Sequence, residues 1–219
     1  EHGLSASEVT QRLGTYGPNE LTETPPPSIW VMFVSQLRET LVLMLIVAAV
    51  VSGALGEWKD AFVILAIVFL NAALGVMHEY RAESAMRALK QLNRPVAKAL
   101  RDGEATEVPS TELVPGDVVL LEAGDFVPAD LRLIEGVALK INESALTGES
   151  VAVNKDVRPV MAPSGPATNN VATSVPLGEQ RNLAFMSTIV TYGHGRGLVI
   201  RTGMQTEIGR VAQLIQEAP

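Results

Sequence analysis

Two long apolar stretches dominate the first third of the chain. Leu41 to Leu55 is a 15-residue run broken only by Ser52 and Gly53, and Ala61 to Met77 is a 17-residue run with one strongly polar member, Asn71. As helices they reach about 22 and 25 Å, short of the ~30 Å hydrocarbon core of a bilayer. Length alone leaves open a buried soluble hairpin and a pair of membrane spans. Extension favours spans: the first helix can begin near Ile29-Trp30, and Trp58 can sit at the opposite interface, where indole rings collect. Glu57, Lys59 and Asp60 then form the connecting loop, because a charge at mid-bilayer costs about 2.5–3.5 kcal/mol. Asn71 reads as a packing residue between helices, with an ion ligand as the other option.

The second helix is expected to continue past the lipid. Ala82, Ala85, Met86, Leu89 and Leu92 keep an apolar stripe at helical spacing, and Glu83 and Arg87 form an i,i+4 pair. Asn93-Arg94-Pro95 ends it, since proline disfavours helix in the residue before it. The result is a rigid rod that can carry rotation of a neighbouring domain to the spans. Basic residues cluster on one side: Arg38 before the first run and Arg81, Arg87, Lys90 and Arg94 after the second, against Lys59 alone in the loop. The positive-inside bias puts both termini in the cytoplasm.

Upstream, Ser5 and Glu8 fit a capping box. Val9 and Leu13 then share one helical face, and Gly14 can close the helix. Tyr16-Gly17-Pro18-Asn19 is a turn, and Glu20-Leu21 starts a second short helical turn. Spacing alone reads this as a small surface helical hairpin. Pro25-Pro26-Pro27 is a stiff spacer.

From Val96 the periodicity changes to that of strands. Val96 to Leu100 is followed by a turn at Asp102-Gly103. Asp117 to Glu122 carries a continuous Val118-Val119-Leu120-Leu121 core, consistent with burial on both faces. Leu131 to Ile134 and Val137 to Ile141 read as two more strands, the latter alternating Val137, Leu139 and Ile141 against Ala138, Lys140 and Asn142. Leu183 to Thr191 and Leu198 to Arg201 read as a hairpin around a glycine-rich turn, Gly193 to Gly197, with His194 exposed in it. These glycines do not fit G-x-G-x-x-G, so a phosphate cradle is disfavoured. Residues 162–176, rich in Pro, Ser, Thr, Asn and Gly, form an exposed loop. Thr206 to Ile215 resumes helix. Many short strands separated by turns argue for a sandwich or distorted jelly roll.

Composition agrees with a chain partly in lipid. Of 219 residues, 47% are hydrophobic and only 5% aromatic, and mean hydropathy is +0.22. The formal charge of -7 argues against a nucleic-acid partner. Without cysteine there is no disulfide framework, thiolate metal site or cysteine nucleophile. The first residue is Glu1 and no signal peptide opens the sequence, so a piece of a longer protein is expected.

The candidate chemistry lies in Leu146-Thr147-Gly148-Glu149-Ser150, a polar turn after a strand-like segment. Gly148 permits a tight bend, Thr147 and Ser150 supply hydroxyls, and Glu149 presents a carboxylate that can act as a general base on water. Taken alone, such a turn reads as local hydrogen bonding by Thr147 and Ser150. Asn142-Glu143-Ser144 also matches a glycosylation sequon, which a cytosolic placement leaves unused.

This run resembles the actuator signature of the P-type ATPases, pumps that pass through an aspartyl phosphate. Four further blocks resemble the same family in order: Pro115 to Val119, Gly124 to Asp130, Asn182 to Met186 and Thr202 to Gly209. The segment from Gly3-Leu4-Ser5 to Asn19-Glu20-Leu21 resembles the cation-pump N-terminus that packs on the actuator. The resemblance implies an α+β membrane protein: a transmembrane helical hairpin plus a mainly-β, distorted jelly-roll actuator domain with short N-terminal helices. The expected division is residues 1–27 (N-terminal segment), 28–92 (hairpin and stalk), 93–203 (actuator) and 204–219 (a stalk helix towards a third span).

It also implies that Glu149 orients and deprotonates the water attacking the aspartyl phosphate. Thr147 and Gly148 shape the loop against the phosphate, and Ser150 supports it. Asn142 stands where many relatives have Asp, which implies a change in local structure and not in chemistry. The parent enzyme would use ATP and Mg2+; this stretch has no D-K-T-G phosphorylation motif and no nucleotide domain, so it is expected to bind neither. Its partners would be the phosphorylation, nucleotide-binding and remaining transmembrane domains of the same pump, the bilayer and the transported cation. In related calcium pumps an acidic residue near the first span lies at the cytoplasmic ion entrance, which makes Glu39 a candidate for that role, the alternative being an interfacial pair with Arg38. The blocks look most like the calcium branch; sodium/potassium-like, proton, magnesium or manganese transport is the alternative cation reading. A non-enzymatic, membrane-anchored β binding domain is the rival from another class.

Overall fold

The computed structural model describes residues 2–22, 28–92, 95–160 and 175–217. The Pro25-Pro26-Pro27 spacer, the Asn93-Arg94 helix stop and most of the 162–176 loop lie outside the described residues, as do the side chains from Arg87 to Arg94. The chain divides into two compact units, Glu1–Thr22 with Arg94–Pro219, and Glu23–Asn93.

Helix α1, Ala6–Tyr16, opens with the expected capping box: Glu8 N–H donates to Ser5 Oγ (3.4 Å), and Ser5 N–H to Glu8 Oε2 (2.9 Å). Gly14 does not close it. The helix continues to Tyr16, and Gly17, at φ 76°, donates its N–H to the Leu13 carbonyl. Glu20-Leu21 forms no helical turn, so the described residues here contain no helical hairpin. The chain instead inserts Asn19 into the lobe. Its Nδ2 donates to the carbonyls of Ser110 (2.9 Å) and Pro128 (2.8 Å), and its Oδ1 accepts from Gly203 N–H (2.8 Å). Val9 packs with Leu4 and Val114, and Leu13 lies beside them.

Among its described residues the helical unit has three members. Helix α2 is Ile29–Leu37, α3 is Thr40–Ala54 and α4 is Trp58–Leu92. The expected single first helix is broken: α2 and α3 meet at 69°. Arg38 and Glu39 sit at the break, where an unbroken apolar rod would have to carry two charges. Trp58–Met86 within α4 is long and apolar enough to cross a membrane, with mean hydropathy 2.3, and the bent α2–α3 pair passes only if taken as one span. The connection is Leu55 to Glu57; Lys59 and Asp60 belong to the first turn of α4. Phe33 meets Phe69 edge-on at 6.0 Å, which joins α2 to α4. Asn71 is exposed and, among the described residues, bonds to neither α2 nor α3, so it is not glue within this hairpin.

The β lobe is one antiparallel sheet. Its strands are β1 Val96–Arg101, β2 Glu104–Pro109, β3 Val118–Glu122, β4 Asp130–Asn142, β5 Val153–Asn154, β6 Leu183–Ala184 and β7 Ile189–Arg201. The order is β2-β1-β3-β7-β4-β5, with β6 also on β4. Asp102 (φ 49°) and Gly103 (φ 86°) form the tight β1–β2 turn, both with the positive φ that a two-residue type I′ hairpin needs.

Three strand expectations change. Leu131 to Ile134 and Val137 to Ile141 are halves of the single strand β4, which bulges at several points along β7. The bulges break the alternation: Leu139 and Ile141 are buried, but Val137 is 52% exposed. In β3 only Val119 and Leu121 are fully buried, so it is a one-faced strand.

The glycine-rich segment is no turn. Gly193 to Gly197 runs through the middle of β7, and His194 lies exposed within that strand. A Cβ on Gly193 (φ 78°) would come within 2.6 Å of the Ala138 backbone, so the glycine permits β7 to press on the bulged β4. The core of the lobe includes Leu121, Leu131, Leu133, Leu139 and Ile141, each worth about 1.5–3 kcal/mol on burial. A 3₁₀ turn, Gly203–Gln205, and helix α6, Glu207–Glu217, follow β7. Ile208 and Ala212 are half-buried, but Val211 and Ile215 of the expected apolar side are exposed.

Candidate functional site

Strand β4 delivers the chain to a single turn of helix, α5, Ser144–Thr147. Gly148 ends it in the left-handed conformation, at φ 75° and ψ -4°, and donates its N–H to the Ser144 carbonyl. Only a residue without Cβ adopts this region freely, so the bend lies where the sequence places glycine. Glu149 follows the bend and is exposed, as are Gly148 and Ser150. The carboxylate is therefore free to meet a second surface.

The loop is tied from within. Thr147 Oγ1 donates to the Glu143 carbonyl (3.1 Å) and accepts the Glu149 N–H (3.3 Å). The Glu143 carbonyl also accepts the N–H groups of Leu146 (2.9 Å) and Thr147 (3.0 Å). Asn142 Oδ1 accepts Ser144 N–H (3.0 Å), a local turn across the sequon. Thr147 therefore performs the local role that its residue type suggests. Ser150 makes no side-chain hydrogen bond among the described residues.

Two residues that sequence reasoning did not single out sit at the neck of this loop. Glu143 and Lys155 form an ion pair whose side chains are both fully buried, with no hydrogen bond from either charged group to any other partner among the described residues. Burial pushes the Glu143 carboxyl above its usual range, opposed by Lys155. The Lys155 amine is pushed down, again mainly by burial. Lys155 Nζ also lies 5.5 Å from the centre of the buried Phe185 ring, a favourable position for a cation. Strand β5 brings the two together: Ile141 pairs with Val153, Lys140 with Asn154, and Lys155 N–H donates to the Leu139 carbonyl (2.9 Å). The available signal was opposite charges six positions either side of Glu149.

A second buried carboxylate, Asp130, lies far along β4 from the loop. It accepts the N–H groups of Met186 (3.0 Å) and Glu207 (2.9 Å), the latter at the start of α6. Burial raises its carboxyl above the usual range, opposed first by those two N–H groups. Glu207 in turn pairs with Arg201 and Arg210.

Glu39 belongs to the helical unit. It is exposed, occupies the N-cap position of α3 without a side-chain capping bond, and makes no ion pair with Arg38. Among the described residues no three His, Asp or Glu side chains converge on a position for a metal ion.

Comparison with known proteins points in one direction. The pattern of the P-type ATPase actuator domain matches residues 91–216, more than half of the chain. That of the cation transporter/ATPase N-terminus matches residues 1–52. Calcium-transporting ATPase 1 of Bacillus cereus is 48% identical over 218 residues, and the calcium-transporting ATPase of Bacillus subtilis is 45% identical over 218. A P-type sodium-transporting ATPase of Toxoplasma gondii is 41% identical over 216. These alignments take in 99–100% of this chain but only 24%, 23% and 15% of the respective relatives.

Proposed function

Because the chain belongs to the P-type ATPase family, we propose that it is the N-terminal part of an ATP-driven cation pump, with calcium as the cation. In this reading Glu149 activates the water that hydrolyses the aspartyl phosphate of a partner domain. Thr147 and Gly148 shape the loop against the phosphate, and Ser150 supports it. The observation that carries the reading is the exposed Glu149 carboxylate just past a left-handed glycine, on a lobe that matches the actuator pattern. The relatives whose names specify calcium support the choice of ion. The test is decay of the phosphoenzyme in the full-length pump bearing Glu149→Gln.

The division into residues 1–27, 28–92, 93–203 and 204–219 belongs to the same proposal, as does a cytoplasmic lobe with both termini on that side. ATP and Mg2+ would be held by the phosphorylation and nucleotide-binding domains of the parent. The isolated chain accordingly turns over no ATP. Metal-dependent ATPase activity from the folded, purified chain would overturn that expectation.

Glu39, exposed at the α2–α3 break, is proposed to lie at the cytoplasmic ion entrance. In the full-length pump Glu39→Ala then lowers the rate of ion uptake or the apparent ion affinity. Unchanged values for both would remove the role.

A further inference from the structure

Glu143 and Lys155 are fully buried, oppositely charged and placed where the loop carrying Glu149 leaves and rejoins the sheet. Burying two charges is costly, and well-packed apolar residues usually serve stability as well or better. What the pair does give is position. The Glu143 side chain is held from below by Lys155. Its carbonyl holds Leu146 and Thr147, and Thr147 Oγ1 holds the Glu149 N–H. Every link from the buried amine to the exposed carboxylate is thus a polar contact or one residue of backbone.

Lys155 is fixed at its other end as well. Its N–H is bonded to β4, its stem lies in the core and its ammonium lies over the Phe185 ring. Glu143 precedes the first residue of α5, yet makes no side-chain capping bond to that helix. Its carboxylate turns inward, which leaves the backbone carbonyl to organise the turn.

From this geometry we infer that Glu143 and Lys155 are positioning residues, whose buried contact fixes the Glu149 loop at the angle needed to reach its target. The inference rests on the hydrolytic reading of Glu149 given above. Neither residue touches the reacting atoms; both act through Thr147 and the backbone.

The experiment uses the full-length pump with Glu143→Met and Lys155→Met combined, and Glu149→Gln in parallel. The double variant leaves no unpaired buried charge, so it folds with a thermal midpoint near that of the parent. Lys155→Met alone strands a buried carboxylate and lowers the midpoint. Phosphorylation by ATP proceeds in the double variant, but phosphoenzyme decay slows by about ten- to a hundredfold, as expected when a catalytic group is misplaced by about an ångström. Amide hydrogen exchange at Leu146, Thr147 and Glu149 speeds up in the same variant. A folded double variant with parent-like exchange or parent-like decay overturns the inference. If Glu149→Gln itself decays at the parent rate, the hydrolytic reading fails, and the exchange measurement alone decides whether the pair holds the loop.

Discussion

Replacing Glu149 by Gln in the full-length pump leaves phosphorylation by ATP intact and slows decay of the aspartyl phosphate by about 10²–10⁴-fold, the usual contribution of a positioned general base. The substitution is narrow in what it removes. Gln keeps the length and planarity of the side chain, and the backbone N–H of residue 149 still reaches Thr147 Oγ1. The residue is exposed, so no core contact is lost. What disappears is a carboxylate able to accept a proton from water. Rapid acid quenching of pump labelled from radioactive ATP gives both rates in one experiment. Slow formation together with slow decay would indicate a distorted loop or lobe. Decay at the parent rate would remove the carboxylate from the chemistry.

The parts of the structure that were legible in the sequence are those set by local rules. The Ser5–Glu8 box, the turn at Asp102-Gly103 and the bend at Gly148 each follow from residues within a few positions of one another. What misled was pairing over long distances. Gly193 to Gly197 has the composition of a turn, yet lies inside β7 because the bulged β4 passes too close for side chains. Glu135-Gly136 reads as a gap between strands, yet β4 runs through it and bulges just beyond, with Ala138 at φ 50°. Gly14 reads as a helix stop, but the demand for positive φ falls at Gly17, where the chain turns to insert Asn19. The candidate site divides in the same way. Thr147, Gly148 and Glu149 form one contiguous run, whereas Glu143 and Lys155 meet only because β5 folds back on β4.

A second long-range contact, Asp117 with Arg101, carries a large stability effect in the lobe. Asp117 follows the Pro115-Gly116 turn and is fully buried at the start of β3. Its Oδ2 accepts from Arg101 Nη2 (2.8 Å) and from Val114 N–H (3.0 Å), and its Oδ1 from Arg101 Nε (3.1 Å). The guanidinium reaches on to the Glu112 carbonyl (3.0 Å). One carboxylate thus joins the end of β1, the 3₁₀ turn Ser110–Glu112 and the start of β3. Asp117→Ala leaves Arg101 largely buried without its anion and Val114 N–H without an acceptor. Breaking a buried pair from one side costs about 3–5 kcal/mol, which lowers the unfolding midpoint of a lobe of this size by roughly 6–20 °C. The control is the Lys98–Glu122 pair on the same two strands, at 2.9 Å but with side chains 43% and 59% exposed. Solvent already screens that pair, so Glu122→Gln leaves the midpoint in place. Calorimetry on both variants separates burial from contact distance. Equal midpoints for Asp117→Ala and the parent would show that the Arg101 contact does not hold the three segments together.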